Sequence, residues 1–172
     1  MTATLNSRAI ITDPFTAYEL AANGTTTKLS SANQIAIYPF HLPYPQEVTN
    51  ICLFIGEADG SNDYDFGIYD ADGNLICHAG AQEVPTASSV SFEMTGGPVV
   101  IGPGLYFLAI TGEATNLMWA VSTNGDDYAL GLFNAGSSSS GGALPSTITV
   151  NNSLNEGSGA PYQGYPPVMI LT

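Results

Sequence analysis

The stretch from Asp65 to Cys77 constrains the fold of this chain more than any other part of it. Its first arm, Phe66-Gly67-Ile68-Tyr69, is aromatic and β-branched, which is typical of a β-strand. Asp72-Gly73 then supplies a turn in which glycine can adopt a positive φ, and a second apolar arm, Leu75-Ile76-Cys77, follows it. The stretch predicts a β-hairpin at the centre of an antiparallel sheet.

Short apolar or alternating runs, separated by glycine and proline, recur along the rest of the chain, and no long window has helical periodicity free of both residues. The chain is therefore predicted to be all-β: one antiparallel β-sandwich, jelly-roll-like, over residues 1–172, with residues 1–34 either part of it or an N-terminal arm. The further predicted strands are Ile35–Phe40, Val48–Gly56, Ser89–Met94, Val99–Ile101, Leu105–Ile110, Met118–Ser122, Tyr128–Phe133, Thr147–Val150 and Val168–Leu171.

Three connecting segments are predicted to lack regular structure. Residues 57–63 form an acidic turn, and residues 151–163 form a long polar loop. Residues 135–143 contain only glycine and serine between their terminal alanines, a composition typical of a mobile, exposed loop.

The charge balance excludes several classes of function. Fifteen acidic residues face only two basic ones, Arg8 and Lys28, giving a net charge of −13. Such a chain repels phosphate backbones and anionic lipid heads, so nucleic-acid binding and membrane-surface binding are not expected. No secretory signal and no apolar run long enough to cross a bilayer is visible. The protein is expected to be made in the cytoplasm, to insert in no membrane, and to expose a hydroxyl-rich, lysine-poor surface.

Two acidic segments are candidates for a calcium site. Asp70-Ala71-Asp72-Gly73-Asn74 places oxygens at alternate positions, but the later glutamate of an EF-hand loop is missing. The second segment holds the carboxylates of Glu57, Asp59, Asp63 and Asp65. Aspartate and asparagine are also what tight turns favour, so both segments are predicted to be ordinary turns without metal, with calcium left open as the one candidate ion.

No catalytic constellation is apparent in the sequence. His41 and His78 have no neighbouring ligand or nucleophile motif of the kind that a zinc site or a Ser-His-Asp triad requires. Cys52 and Cys77 match no zinc or redox spacing and are predicted to be partly buried free thiols. The chain is therefore predicted to be no enzyme, with no catalytic residue and no cofactor.

Four aromatic residues are candidates for a platform on which sugars stack, although an aromatic residue in an apolar strand more often belongs to a core. They are Tyr106, Trp119, Tyr128 and Tyr162.

The order of elements resembles that of a recurring β-sandwich in bacteriophage tail, fibre and other virion-surface proteins. The matching pieces are Tyr38-Pro39-Phe40, the hairpin Gly67–Gly73 and the strand Pro103–Ala109, followed by Leu144-Pro145 and by Pro167 before Leu171. The resemblance spans residues 35–172 and carries over no catalytic residue.

The resemblance implies a non-enzymatic structural protein of a phage particle, located in the virion. No collar or coiled-coil segment is visible, which favours a small separate protein, either a capsid decoration or a tail or collar component. Its implied partners are other virion proteins and host-surface glycans. The alternative is a carbohydrate-binding module or lectin-like adhesion protein, and a small polysaccharide hydrolase would require a cleft with two carboxylates.

The strand Leu105–Ile110 is apolar on both faces, whereas a sandwich strand needs only one buried face. The loops at 135–143 and 151–165 or another subunit must cover the second face. Because the first loop is rich in glycine and serine, another subunit is expected, and the chain is predicted to form a homo-oligomer. The expected number, a homotrimer, rests on the resemblance alone.

Overall fold

The computed structural model describes residues 25–121, 133–138, 140–150 and 169–172. These ranges contain thirteen β-strands and no helix, and every strand pairing in them is antiparallel. The predicted all-β sandwich is thereby confirmed. The strands are β1 Thr25–Thr27, β2 Gln34–Leu42, β3 Gln46–Val48, β4 Asn50–Glu57, β5 Asp59–Asp70, β6 Leu75–His78, β7 Gln82–Val84, β8 Ser89–Glu93, β9 Val99–Ile101, β10 Gly104–Gly112, β11 Met118–Val121, β12 Phe133–Ser138 and β13 Met169–Leu171.

A six-stranded sheet holds the central hairpin. Its strand order is β12-β2-β10-β5-β6, and β7 also pairs with β5. β5 and β6 are the two arms of the predicted hairpin, and Asp70 to Asn74 make the turn between them. The sheet therefore brings together strands that lie far apart in sequence, with β10 between β2 and β5.

The second sheet is built around β4, which pairs with β8, β11 and β13, while β1 extends the sheet beyond β11. Along β4, Ile51, Leu53 and Ile55 are buried, while Cys52 and Phe54 are half-buried. This alternation is the one that the sequence predicts for a strand with one face in the core.

A bent ribbon links the two sheets at one corner. β2 pairs with β10 up to Leu42 opposite Gly104, and the same two chain segments pair again as β3 and β9, from Gln46 opposite Ile101. Pro43-Tyr44-Pro45 on one side and Gly102-Pro103 on the other interrupt the pairing. Because proline cannot donate to a ladder and fixes φ, these residues place the bend.

The main core lies between the two sheets. On β5, Tyr64, Phe66 and Ile68 point into it, and the Phe66 ring stacks on Phe92 of β8 with 4.2 Å between ring centroids. Tyr38 and Trp119 are also fully buried here, without a hydrogen-bond partner for the hydroxyl or the indole N–H within the described ranges. Burial strongly raises the pKa of Tyr38; the nearby Trp119 N–H opposes this, although it does not reach hydrogen-bond geometry.

The opposite face of the six-stranded sheet has its own smaller core. Residues 143–150, here called the cover segment, lie across this face, and Leu144 and Ile148 are buried against it. The sheet contributes Ile35, Ile37, Tyr69, Phe107 and Ala109. The two apolar faces of β10 are thus confirmed, but a short segment of the same chain provides the cover.

The cover segment weakens the argument for a subunit interface on this face. That argument assumed that only the glycine-rich and polar loops were available as cover. Instead, the residues between those two loops, with Leu144 and Ile148 spaced four apart, supply the apolar area.

Several local predictions differ from the structure. The predicted acidic turn 57–63 is mostly strand, because β5 begins at Asp59. β12 occupies part of the predicted glycine-serine loop, where pairing with β2 overrides low strand propensity. β1, β3 and β7 were not predicted. Thr147–Val150 forms only an isolated bridge, Thr147 with Asn74.

Other predictions lie outside the described residues: those for residues 1–24, for the whole 151–163 loop including Tyr162, and for all of the strand Tyr128–Phe133 except its last residue. Across the parts of the chain that the structure describes, no helix is long and apolar enough to span a membrane.

Gly73 is where the hairpin turn meets the cover segment. Its φ is +84°, and a Cβ there would collide with the Ile148 carbonyl oxygen. Gly96 has a similar φ of +90° but open space around it. We expect Gly96→Ala to lower the free energy of unfolding by about 1–2 kcal/mol through backbone strain alone, and Gly73→Ala to lower it further. Urea denaturation of both variants measures the difference, and equal losses would mean that the cover segment does not press on the turn.

Candidate functional site

The most elaborate polar cluster in the described residues lies beneath the cover segment. Asp65 of β5 is fully buried, and its Oδ2 lies 2.8 Å from Nδ1 of His78 on β6. The sequence offered these two residues separately, Asp65 as a calcium candidate and His78 as an isolated histidine. The structure brings them together as a pair.

A β-bulge decides that His78 faces Asp65. Cys77 lies opposite Ile68, but Leu75 lies opposite Tyr69, so Ile76 is an extra residue on β6. The extra residue shifts the alternation of the strand. Leu75 and His78 consequently both face the cover segment, whereas Cys77 points into the main core.

The Asp65 carboxylate accepts three hydrogen bonds. The Phe66 N–H donates to Oδ1 at 2.8 Å, and the Leu144 N–H of the cover segment donates to Oδ2 at 2.9 Å. A carboxylate only accepts, so the third bond requires that His78 carries its proton on Nδ1. Charge-assisted bonds of this kind are strong, and here one of them ties the cover segment directly to the sheet.

Further hydrogen bonds continue along the cover segment. The Tyr69 hydroxyl donates to the Pro145 carbonyl at 2.6 Å, and the Leu75 N–H donates to Ser146. The Ile148 N–H donates to the Gly73 carbonyl at 2.8 Å. Burial, reinforced by the nearby Asp65 charge, raises the pKa of Tyr69, so its hydroxyl stays protonated as the donor.

The Asp65–His78 pair has the orientation of the acid–histidine half of a catalytic triad. Nδ1 is bound to a buried carboxylate, and the His78 side chain is 30% exposed. However, no hydroxyl or thiol of the described residues is hydrogen-bonded to the other ring nitrogen, and the adjacent Cys77 faces the opposite side of the sheet. The contacts that the pair does make hold Leu144 and the strand backbone.

A second buried carboxylate, Asp59, organises the start of β5. It accepts hydrogen bonds from the Ser61 N–H, the Asn62 side chain and the Tyr64 hydroxyl, the last at 2.7 Å. Burial tends to raise the pKa of Asp59, but these donors together with Asn116 outweigh it and lower the pKa below 3.8. Burial and the bond to Asp59 in turn raise the pKa of Tyr64 to about 12.

The remaining calcium candidates are separated or occupied by protein donors. Asp70 accepts from the backbone N–H of Asp72 and Asn74 and from the Asn74 side chain. Burial alone would raise the pKa of Asp70, but these hydrogen bonds outweigh the effect of burial, so the pKa of Asp70 is lowered. No group of three or more histidine, cysteine or acidic side chains in the described part of the chain is arranged to hold a metal ion.

The two cysteines are free thiols, as predicted. Cys77 is buried, and desolvation raises its pKa to about 11. Cys52 lies on the outer face of β4, 3.4 Å from the Ser91 hydroxyl.

His41 is exposed on β2 and has no partner among the hydrogen bonds described.

The predicted sugar-stacking platform does not form from the two of its residues that are described. Trp119 is buried in the main core, and Tyr106 is half-buried with its hydroxyl bound to the Gly102 carbonyl at 2.9 Å. Among the described residues, the most exposed aromatic side chain is Tyr44. Sequence reasoning passed over it because it lies in an irregular proline-rich segment.

No known family model, curated protein or solved structure matches this chain.

Removing the charge of Asp65 is expected to loosen the cover segment. An amide oxygen cannot replace both carboxylate oxygens, so Asp65→Asn should lower the free energy of unfolding by about 2–4 kcal/mol. His78→Ala should cost less, because two backbone donors to Asp65 remain and solvent reaches the pair. Hydrogen exchange at the Leu144 amide is the specific measurement. Unchanged exchange in Asp65→Asn would show that the carboxylate does not hold the segment.

Asp59 is expected to make stability depend on pH in the acid range. Because its folded pKa lies below 3.8, its contribution is complete above that pH and is lost as pH falls through the folded value. Asp59→Asn should thus be less stable than wild type by about 1–3 kcal/mol at pH 6, and the gap should narrow below pH ~3.8. Val48→Ala, an apolar core change on β3 and not on a strand paired with Asp59, should show a constant gap. Urea midpoints across this range test the expectation, and a constant gap for Asp59→Asn would contradict it.

Proposed function

We propose that this chain is a non-enzymatic structural protein displayed on the surface of a phage particle, as a capsid decoration or as a tail or collar component. The observation that carries the proposal is spatial. The three sequence pieces behind the resemblance to virion-surface sandwiches lie on β2, β5 and β10, which are direct neighbours in one sheet. The fourth piece, Leu144-Pro145, lies in the segment that covers this sheet.

Two further properties support a structural role. The buried carboxylates of Asp59 and Asp65 accept hydrogen bonds from backbone and side-chain donors, which supports a role for both in folding. The net charge of −13 with few charged residues overall gives a soluble, hydroxyl-rich exterior suited to display.

The homo-oligomer, and the trimer in particular, remains a prediction. The cover segment removes the argument that placed an interface on the outer face of the six-stranded sheet. The surface through which copies would contact each other is therefore left without an assignment.

The proposal is tested by finding the chain in purified particles. Trypsin is a poor choice of protease, because the chain contains only Arg8 and Lys28 as cleavage points. Particles banded by density should instead be digested with a protease that cleaves before aspartate, and peptides of this chain should appear at a constant ratio to the major capsid protein. Antibody against the folded chain should label intact particles. Banded particles that lack the chain would contradict the proposal.

A glycan array with the purified protein addresses the carbohydrate-binding alternative. Specific retention of one glycan class, together with absence from particles, would favour an adhesion protein.

A further inference from the structure

Tyr44 and Val100 are the large apolar side chains that the described structure leaves most exposed, at 76% and 68%. Tyr44 lies at the bend of the ribbon that joins the two sheets, and Val100 lies on β9 beside the bend. We propose that this corner surface, made of residues 43–47 and 98–103, is a docking site for a second protein that presents lysine or arginine side chains around an apolar socket. The inference goes beyond the proposed function, since a particle protein is only one such partner.

The strand register places Val100 and Glu47 on one surface, and Tyr44 lies close to them along the chain. Val100 lies directly opposite Glu47 in the β3–β9 ladder, on the face away from the buried Val48 and Ile101. Tyr44 precedes Glu47 by three residues, so their Cα atoms are at most about 11 Å apart. Aromatic, aliphatic and acidic groups therefore fall within the footprint of a single protein contact.

The backbone around Tyr44 is conformationally restricted. It stands between Pro43 and Pro45, whose rings fix φ. The chain on both sides is anchored, because β2 is paired with β10 and β3 with β9. A ring presented by such a rigid loop loses little conformational freedom in a complex, and tyrosine is among the residues that most often dominate binding energy.

The charges around the corner surface select the partner. Glu47 is exposed beside Val100, and Glu93 is exposed where β8 pairs with the start of β4 at Asn50. Lys28 directly follows β1. Thr27 of β1 pairs with Trp119, and Trp119 pairs with Ile55, so Lys28 lies toward the end of β4 that is far from Asn50. A basic partner would pair with the glutamates and could place a cation on the Tyr44 ring.

The same charges disfavour other occupants. A second copy would bring another −13 charge, and a two-fold contact would place Glu47 near its own counterpart. A sugar site pairs an aromatic ring with several convergent polar groups. Tyr44 is flanked instead by two prolines, and the Gln46 amide already donates to the Leu171 carbonyl, which leaves the Glu47 carboxylate as the polar group beside Val100.

The experiment uses the full chain and a defined set of peptides. Peptides that combine apolar residues with arginine are compared with peptides in which every arginine is replaced by glutamate, by fluorescence polarisation at low salt. The arginine peptides should bind and the glutamate peptides should not. Tyr44→Ser and Val100→Ser should each weaken binding about tenfold, and Glu47→Gln about threefold.

Glu83→Gln is the matched control. Glu83 is exposed on β7 opposite Asp63, near the Gly112 end of β10, whereas the corner surface adjoins Gly104. Eight strand residues separate the two ends, about 26 Å. The control should bind like wild type, and circular dichroism should show all variants folded.

Four outcomes would overturn the proposal. They are failure of every arginine peptide to bind, binding that survives Tyr44→Ser, equal binding of the glutamate peptides, and glycan binding that Tyr44→Ser abolishes. Sedimentation supplies a fifth outcome that would overturn the proposal. If the wild-type chain is an oligomer and Val100→Glu dissociates it into 17.9 kDa monomers, the corner surface is a contact between copies of this chain.

Discussion

The six-stranded sheet has two apolar faces, and the rest of the structure follows from the need to cover both. On β10, Leu108 and Ile110 point toward the second sheet, while Phe107 and Ala109 point away from it. One face forms the usual interior of a sandwich. The other requires a layer that a simple sandwich does not have, and residues 143–150 supply it. Each large apolar side chain buried there contributes about 1.5–3 kcal/mol.

Apolar burial has no direction, so polar contacts must fix where the cover segment lies. The buried Asp65 carboxylate provides the strongest of these contacts by accepting the Leu144 N–H, and the backbone bonds at Gly73 and Leu75 set the register further along. Gly67 allows the close approach, because a Cβ there would meet both Leu144 and His78. The cluster of Asp65, His78 and Leu144 therefore anchors the smaller core to the six-stranded sheet.

This anchor also shows how a very acidic chain can bury carboxylates. With only two basic residues in the sequence, Lys or Arg partners are scarce. Asp59 is satisfied by amide and hydroxyl donors, and Asp65 by two backbone N–H groups and a histidine. Such donors stabilise the ionised form without a full countercharge. The other acidic side chains among the described residues are exposed or half-buried, and those near the Tyr44 corner can attract a basic partner.

By itself, the sequence determined the local elements of this protein. Period-two alternation predicted β2, β4 and β8, and Asp72-Gly73 predicted the hairpin, because strand pleating and turn geometry are local properties. Tertiary structure alone decided the rest. β12 forms in a glycine-serine segment because β2 offers it a partner, and the pairing of Asp65 with His78 depends on a bulge that no local pattern announces. Both involve contacts between residues distant in sequence, whose energy is set by packing and register and not by the propensity of either segment.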